Sequence, residues 1–156
     1  MKMEIPENYP HYFNISLKVI LENDKGEILG LKCKEEGSLA GFYDFPGGRI
    51  NSDELNIQYE EVIARELAEE VGKEVRYKGD FIHPVSTGKF IYFSYTLGRE
   101  NSILQLYFKA RYLGGEISIS DEHSGYDWLD LRSELAEKYF TSGFLEGIRG
   151  YLDRKE

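Results

Sequence analysis

Gly47-Gly48, then Glu54, then Arg65-Glu66-Leu67-Ala68-Glu69-Glu70-Val71-Gly72 is the stretch on which the fold turns. Val62, Ile63, Leu67 and Val71 recur at helical spacing, with Ala64 and Ala68 among them, so residues 58–71 are expected to form an amphipathic helix. Gly72 stands where a left-handed cap would end it. On that helix Glu66, Glu69 and Glu70 lie at i, i+3 and i+4 and share a face. Like charges ~4 Å apart cost about 1 kcal/mol in bulk water and about 4 at an effective dielectric near ~20. The three also crowd the helix C-terminus, where the dipole disfavours negative charge. A helix chosen only for stability would carry Lys or Arg there.

A hard divalent cation reverses this penalty. Mg²⁺ takes oxygen ligands, commonly one or two carboxylates plus phosphate oxygens of a substrate. Such a cation neutralises phosphate charge, lowers the pKa of a bound water and aligns the attack. The plain alternative is a solvated acidic face in a Glu-rich chain.

Working outward, the segments around this helix read mainly as strands. Residues 12–21 are rich in Ile, Val and Phe and alternate loosely. Asn23-Asp24-Lys25-Gly26 is turn chemistry, and residues 27–33 follow as a second strand, so a hairpin is expected. A short aromatic run, Phe42 to Phe45, closes on Pro46-Gly47-Gly48. After the helix, residues 75–83, 89–97 and 103–113 read as strands. Glu116 to Ser120 is expected to extend the sheet, and residues 126–129 to be extended. Residues 132–139 and 143–152 read as two C-terminal helices. One mixed sheet with helices on its faces is the simplest architecture.

The bulk numbers exclude several classes. At 156 residues, 41% hydrophobic and 30% charged, the chain suits one soluble domain with one core. The net charge of -9 argues against a sequence-independent grip on polymeric nucleic acid. It is compatible with a small phosphorylated substrate, because a divalent cation can sit between an acidic site and an anion. Cys33 is the only cysteine, which fits a reducing compartment and reads as a plain strand thiol. The first ten residues show no apolar signal stretch, and no run approaches the ~18 apolar residues of a membrane span. The expected location is the cytoplasm.

The whole acidic segment resembles the signature of the Nudix hydrolase superfamily. That signature runs Gly, five residues, Glu, seven residues, Arg-Glu-hydrophobic-x-Glu-Glu-x-Gly-hydrophobic. Gly48, five residues and Glu54 match, as do Arg65, Glu66, Leu67, Glu69, Glu70 and Gly72. The lead-in Gly41-Phe42-Tyr43-Asp44-Phe45-Pro46-Gly47-Gly48 is similar to the family's aromatic-x-hydrophobic-Pro-Gly-Gly. Two departures stand out. Ten residues separate Glu54 from Arg65, and counting back seven from Arg65 lands on Ile57. Whether Glu54 reaches the site is therefore open. Lys73 also stands where an aliphatic residue is usual.

The resemblance implies an α/β (α+β) Nudix fold over residues 1–156, with a mixed sheet sandwiched between helices. It implies that Glu66, Glu69 and Glu70 bind Mg²⁺ or Mn²⁺, that one of them helps activate water, and that Gly47 offers a carbonyl to a metal. Arg65 is implied to orient a glutamate; by spacing alone it can pair with Glu69 or Glu61. Many relatives recruit a further acid from a later loop, for which Glu122 is the candidate and Asp121 the runner-up. His123 is weighed as a base or as a loop hydrogen-bonding residue. Lys32, Lys34 and Arg49 are candidate phosphate contacts. Phe42, Tyr43, Tyr126 and Trp128 are candidate stacking residues, with core packing the alternative.

The expected activity is metal-dependent hydrolysis of a phosphoanhydride in a nucleoside diphosphate linked to another moiety. The expected partner is a small nucleotide-like substrate, with no polymeric nucleic acid, no membrane, and a monomer or homodimer. The alternatives are a catalytically silent Nudix-fold nucleotide sensor and a house-cleaning nucleoside triphosphatase.

Overall fold

The computed structural model describes residues 6–155. The reading of the first ten residues falls partly on residues 1–5, outside those described. Among the described residues eight strands form one mixed sheet: β1 (Asn14–Glu22), β2 (Ile28–Cys33), β3 (Tyr43–Asp44), β4 (Gly47–Arg49), β5 (Arg76–Gly79), β6 (Ser86–Ser94), β7 (Arg99–Gly114) and β8 (His123–Leu129). Helix α1 (Tyr59–Glu70) and helix α2 (Ser142–Lys155) complete it, with 3₁₀ turns at Ser52–Glu54 and Ser133–Lys138.

β1 is the axis of the fold. It runs parallel to β7 from Asn14↔Ile103 to Glu22↔Arg111. Its residues Leu17 to Leu21 are almost an unbroken apolar run because both faces are covered. Leu17, Val19 and Leu21 face α1, joined by Val62, Ile63 and Leu67 from the helix and Phe108 and Ala110 from β7. Ile20 faces α2, with Tyr107, Phe45, Phe140, Phe144 and Ile148. Burying Val62, Ile63 and Leu67 stabilises the α1 face by about 1.5–3 kcal/mol per side chain, an upper estimate. That outweighs the helix's own adverse charge pattern and fixes which of its faces points to solvent.

The expected hairpin forms only at its turn. Asn23 Oδ1 accepts the N–H groups of Lys25 (3.0 Å) and Glu27 (2.9 Å), and Gly26 takes φ 78°. Beyond the single β1–β2 register pair Glu22↔Ile28 the strands part. β4 takes the edge of β1 at Ser16, Leu17 and Lys18, while β2 pairs along its length with β8. This insertion of β4 places Gly47 and Gly48 beside the centre of β1, beneath α1.

Three other expectations change. Residues 116–120 add no strand; Ile117 and Ile119 pack on the α1-side core, and the Ser118 N–H donates to Val71 O at 2.9 Å, holding that segment on the helix end. Residues 132–139 form a 3₁₀ turn rather than an α-helix, because the Tyr139 carbonyl is drawn to the Tyr43 N–H of β3 at 2.8 Å and Phe140 stacks on Phe45 at 4.3 Å. β5 stops at Gly79, where Asp80 turns the chain by accepting the N–H groups of Ile82 and His83. No helix of the described residues is long and apolar enough to cross a membrane.

Candidate active site

Helix α1 begins on Gln58, whose N–H donates to Glu61 Oε2 at 3.2 Å, and ends with the Val71 N–H on Leu67 O at 2.9 Å. Gly72 takes φ 100°, the left-handed cap. This frame sets Glu66 and Glu70 inward over β4 and leaves Glu69 outward, its side chain 59% exposed.

Arg65 binds the acids together. Its Nε and Nη2 donate to the two oxygens of Glu54, each at 2.7 Å, a bidentate pair. Its Nη1 lies 2.9 Å from Glu66 Oε1 and 3.3 Å from Glu69 Oε2. Glu61 is occupied at the helix start instead. The three-residue insertion therefore does not carry Glu54 away. It is absorbed by the 3₁₀ turn and by Leu55-Asn56-Ile57, where Leu55 and Ile57 protrude into solvent while Glu54 turns back and is buried. The hydrogen bonds from Arg65 and the Asn51 N–H hold the Glu54 carboxyl below its usual range.

Glu66 and Glu70 differ from Glu54 in having too little positive charge. Burial pushes the Glu66 carboxyl up, against Arg65. Burial pushes Glu70 up to about 7, with Asp44 adding to the shift and Lys18 opposing it. One Glu70 oxygen accepts the Gly47 N–H at 2.9 Å. Gly47 takes φ 128°, and a Cβ there would overlap the Leu17 carbonyl of β1. A Cβ on Gly48 would overlap the Glu66 carboxylate. The Gly-Gly pair thus lets the strand and the acidic helix face meet.

That overlap predicts a split effect for Gly48→Ala. The obstructed atoms are the far end of a flexible side chain, so stability should change by no more than about 1 kcal/mol. The carboxylate must move by about an ångström, however, and turnover should fall by up to about a hundredfold. Thermal unfolding and steady-state rates on one preparation check both halves.

A buried polar chain that the sequence reading missed runs beside the helix. Lys18, in mid-β1, lies 3.0 Å from Asp44 Oδ1, and its Nζ donates to the carbonyls of Phe45 (3.3 Å) and Gly47 (3.4 Å). Burial works against its charge, but Asp44, Glu70 and Glu66 outweigh it and raise its pKa. Burial also works against Asp44, yet Lys18 and His123 hold its carboxyl low. His123 Nε2 is 3.4 Å from Asp44 Oδ2, and its buried Nδ1 has no partner among the described residues. The available signal was a lone Lys in an apolar strand followed by an Asp in the aromatic lead-in.

The other candidates separate. Glu122 is exposed and lines a cleft of about 320 Å³ with Lys34, Asp44 and His123. Asp121 is exposed at the same turn. Arg49 has an exposed side chain, and its carbonyl accepts Arg65 Nη2 at 3.4 Å. The Tyr43 hydroxyl donates to Asp127 at 2.5 Å, and its ring packs edge-on against Tyr139. Lys32 pairs with Asp127 at 3.2 Å. Trp128 packs on the α1-side core against Tyr112. Phe42 is half-buried, and Tyr126 is exposed on β8. Cys33 is half-buried, and burial pushes its thiol up to about 11, so it is no nucleophile at neutral pH.

The donor set of Glu66, Glu69, Glu70 and the Gly47 carbonyl is all oxygen, which suits a hard divalent cation. The raised carboxyls of Glu66 and Glu70 fit the same need, since a nearby cation would restore their ordinary ionisation. Arg65 is drawn in among Glu54, Glu66 and Glu69, and among the described residues no three His, Cys, Asp or Glu side chains are set as ligands to one ion.

The site is thus a carboxylate-lined helix laid over a Gly-Gly strand, on a sheet covered on both faces. The model of the NUDIX domain matches residues 13–143, and the chain belongs to the Nudix family, as a Nudix-type hydrolase acting on acid anhydrides in phosphorus-containing compounds. Among solved structures it is similar to a MutT protein from Methanosarcina mazei Go1, with 26% identity, a TM-score of 0.64 and coverage of 91% of each chain. It also shares its fold with the Escherichia coli ORF135 protein (18% identity, TM-score 0.66, covering 92% of this chain and 91% of that one). The E. coli dihydroneopterin triphosphate pyrophosphohydrolase has the same fold at 19% identity and TM-score 0.61, covering 92% and 99%. No curated protein matches the chain.

Proposed function

We propose that the protein hydrolyses the phosphoanhydride of a nucleoside diphosphate linked to another moiety, using Mg²⁺ or Mn²⁺ held by Glu66, Glu69, Glu70 and the Gly47 carbonyl. The moiety is a sugar, a ribose as in ADP-ribose, a second nucleoside, or a further phosphate. The observation that carries this reading is the gathering of Glu54, Glu66 and Glu69 on one guanidinium beside Glu70 on the Gly47 N–H. When bound, the cation would supply charge neutralisation at phosphorus and a more acidic water.

The chain's own residues supply the rest. Arg65 fixes the carboxylates of Glu54, Glu66 and Glu69 relative to one another. Without the cation, burial holds the Glu70 carboxyl up to about 7; a bound cation would return it to the ionised form, with its second oxygen left to serve as a ligand. Glu54 stays ionised beside Arg65. Lys18 holds the Gly47 carbonyl and balances Asp44. Glu122 and Lys34 line the neighbouring cleft with Asp44 and His123, and Lys34 is the cation there that a substrate phosphate could meet.

The experiment is a panel of nucleotide sugars, ADP-ribose, dinucleoside polyphosphates and nucleoside triphosphates, with Mg²⁺ and with Mn²⁺. Turnover of at least one is expected, and it should vanish in excess EDTA and return on adding the ion. No turnover of any at high enzyme concentration would refute the reading. Tight ADP-ribose binding without product would instead favour the silent sensor.

Arg65→Lys tests the positioning role. One ammonium cannot replace the bidentate grip on Glu54 while also reaching Glu66 and Glu69. We expect kcat to fall about tenfold or more, with KM little changed. A rate equal to wild type would show that the carboxylates do not depend on Arg65.

A further inference from the structure

The hairpin end of the sheet carries charge opposite in sign to that of the whole chain. Five of the 19 Lys and Arg residues line one cleft of about 660 Å³ between β5, β7 and the last turn of α2, in a protein of net charge -9. That volume lies within the ~300–1,000 Å³ of small-molecule sites. β7 passes Lys18 at Tyr107 and reaches the cleft at Arg111, four residues on, so the two sites are ~13 Å apart along the strand.

Three of the five cations have ordinary structural reasons to be there. Arg154 and Lys155 sit in the last turn of α2, where cations balance the helix dipole. Arg154 donates to the Val85 carbonyl at 2.9 Å, and Lys155 lies 3.0 Å from Glu22. Lys109 stands over the Tyr151 ring, 3.9 Å from the same carboxylate.

Lys78 has no such reason, and Arg111 has only its place beside Glu22, its Cα partner on β1. Lys78 and Arg111 are Cα partners across the antiparallel β5–β7 ladder, so two like charges face each other directly on one side of the sheet. That pairing is unfavourable for a fold. Neither makes an ion pair or hydrogen bond among the described residues, and Lys109 lies next along the same face. The acids nearby are fewer than the cations: Glu22, beside Arg111, is shared by Lys109 and Lys155, Asp24 lines the adjoining cleft with Lys109 and Arg111, and Asp80 is turned onto His83 Nδ1 at 2.7 Å and onto the backbone. A face with more cations than acids beside a cleft is the electrostatic inverse of the glutamate helix, and it suits a ligand that brings its own negative charge.

We propose that this cleft is a second binding site, taking a small phosphoryl-bearing anion on the Arg111 guanidinium with Lys78 and Lys109 around it. An arginine fork matches two phosphate oxygens, and the lysines act as point charges. The phosphoryl group can come free, as inorganic pyrophosphate, or as part of a nucleotide. The proposal is independent of the reaction assigned to α1.

Calorimetric titration of the full chain in EDTA with pyrophosphate, AMP and ATP tests it. Saturable pyrophosphate binding is expected, weakening as salt rises. Arg111→Gln and Lys78→Gln should each weaken it about tenfold, the loss of one charged contact. Glu69→Gln should leave it unchanged. Backbone amide shifts should centre on residues 78–85 and 109–111. Similar affinities for pyrophosphate and ATP, competing for one site, identify the phosphoryl group as the recognised part. AMP and ATP both binding at least about tenfold tighter add the nucleoside. Each substitution removes half of a like-charge pair, so thermal midpoints should hold or rise, and the two variants check one another. No saturation by about 10 mM, affinity unchanged in both variants, or shifts on α1 would each overturn the proposal.

Discussion

Glu70→Gln and Glu69→Gln are each expected to lower kcat by about a hundredfold or more, the scale seen when a preorganised charge is removed from a transition state. The two substitutions reach that result differently. Gln at position 70 keeps the shape and can still accept the Gly47 N–H, but it cannot bring a negative charge to a cation. Position 69 is exposed and held only by one 3.3 Å contact to Arg65, so Glu69→Gln should leave stability within ~0.5 kcal/mol of wild type. A rate near wild type from either variant would show that the carboxylate assigned to metal binding does not serve it.

Glu70→Gln carries a second signature, read in EDTA. Burial raises the folded-state pKa of Glu70 to about 7, above the unfolded value. Between the ordinary carboxylate range and about 7 the folded state therefore holds more protons than the unfolded one, and stability falls as pH rises through that window. Removing the carboxyl should flatten the fall. The variant should gain relative to wild type at pH 8 and show little gain at pH 5 when urea midpoints are compared.

The largest loss of stability is expected from Lys18→Met. The side chain is almost fully buried, 3.0 Å from Asp44, and its removal leaves that carboxylate, among the described residues, with the Phe45 N–H and the His123 ring and without its lysine. Breaking one half of a buried pair typically costs about 3–5 kcal/mol. The double variant Lys18→Met/Asp44→Asn should recover part of the loss, because no buried charge then stands alone. Urea unfolding of both single variants and the double completes the cycle. A single-variant loss under about 1 kcal/mol would mean that water or a neighbour compensates Asp44.

The pH signs for this pair follow from each shift. Asp44 is held low in the fold, so its contribution is present above its unfolded pKa and disappears as pH falls through the folded value. Lys18 is held high, so its contribution is full below its unfolded pKa and disappears as pH rises through the folded value. Between those limits the pair is intact, but Lys18 also favours the charged form of Glu70, so the Lys18→Met penalty should grow as pH rises through about 7.

The sequence by itself determined the helix of the acidic face, its cap at Gly72, the Gly-Gly pair before it and the spacing of Glu66, Glu69 and Glu70. These are local properties. A helical period is written within a few turns, and a glycine's freedom to take φ near 100° belongs to the residue itself. Tertiary structure decided what lies next to that helix. Glu54 and Arg65 are 11 residues apart, and the length of chain between them did not reveal that the extra residues bulge outward and return the carboxylate. Lys18 and Asp44 are 26 apart, Asp44 and His123 79 apart, and they meet only because β4 displaces β2 from the edge of β1 while β8 pairs with β2. Strand order is a competition among edges for partners, settled by burial on both faces of the sheet, and no window of sequence carries that outcome. The glutamate helix was therefore legible from its residues alone. The buried lysine that steadies it and the cationic cleft at the far end of the same strands became visible only once the sheet was assembled.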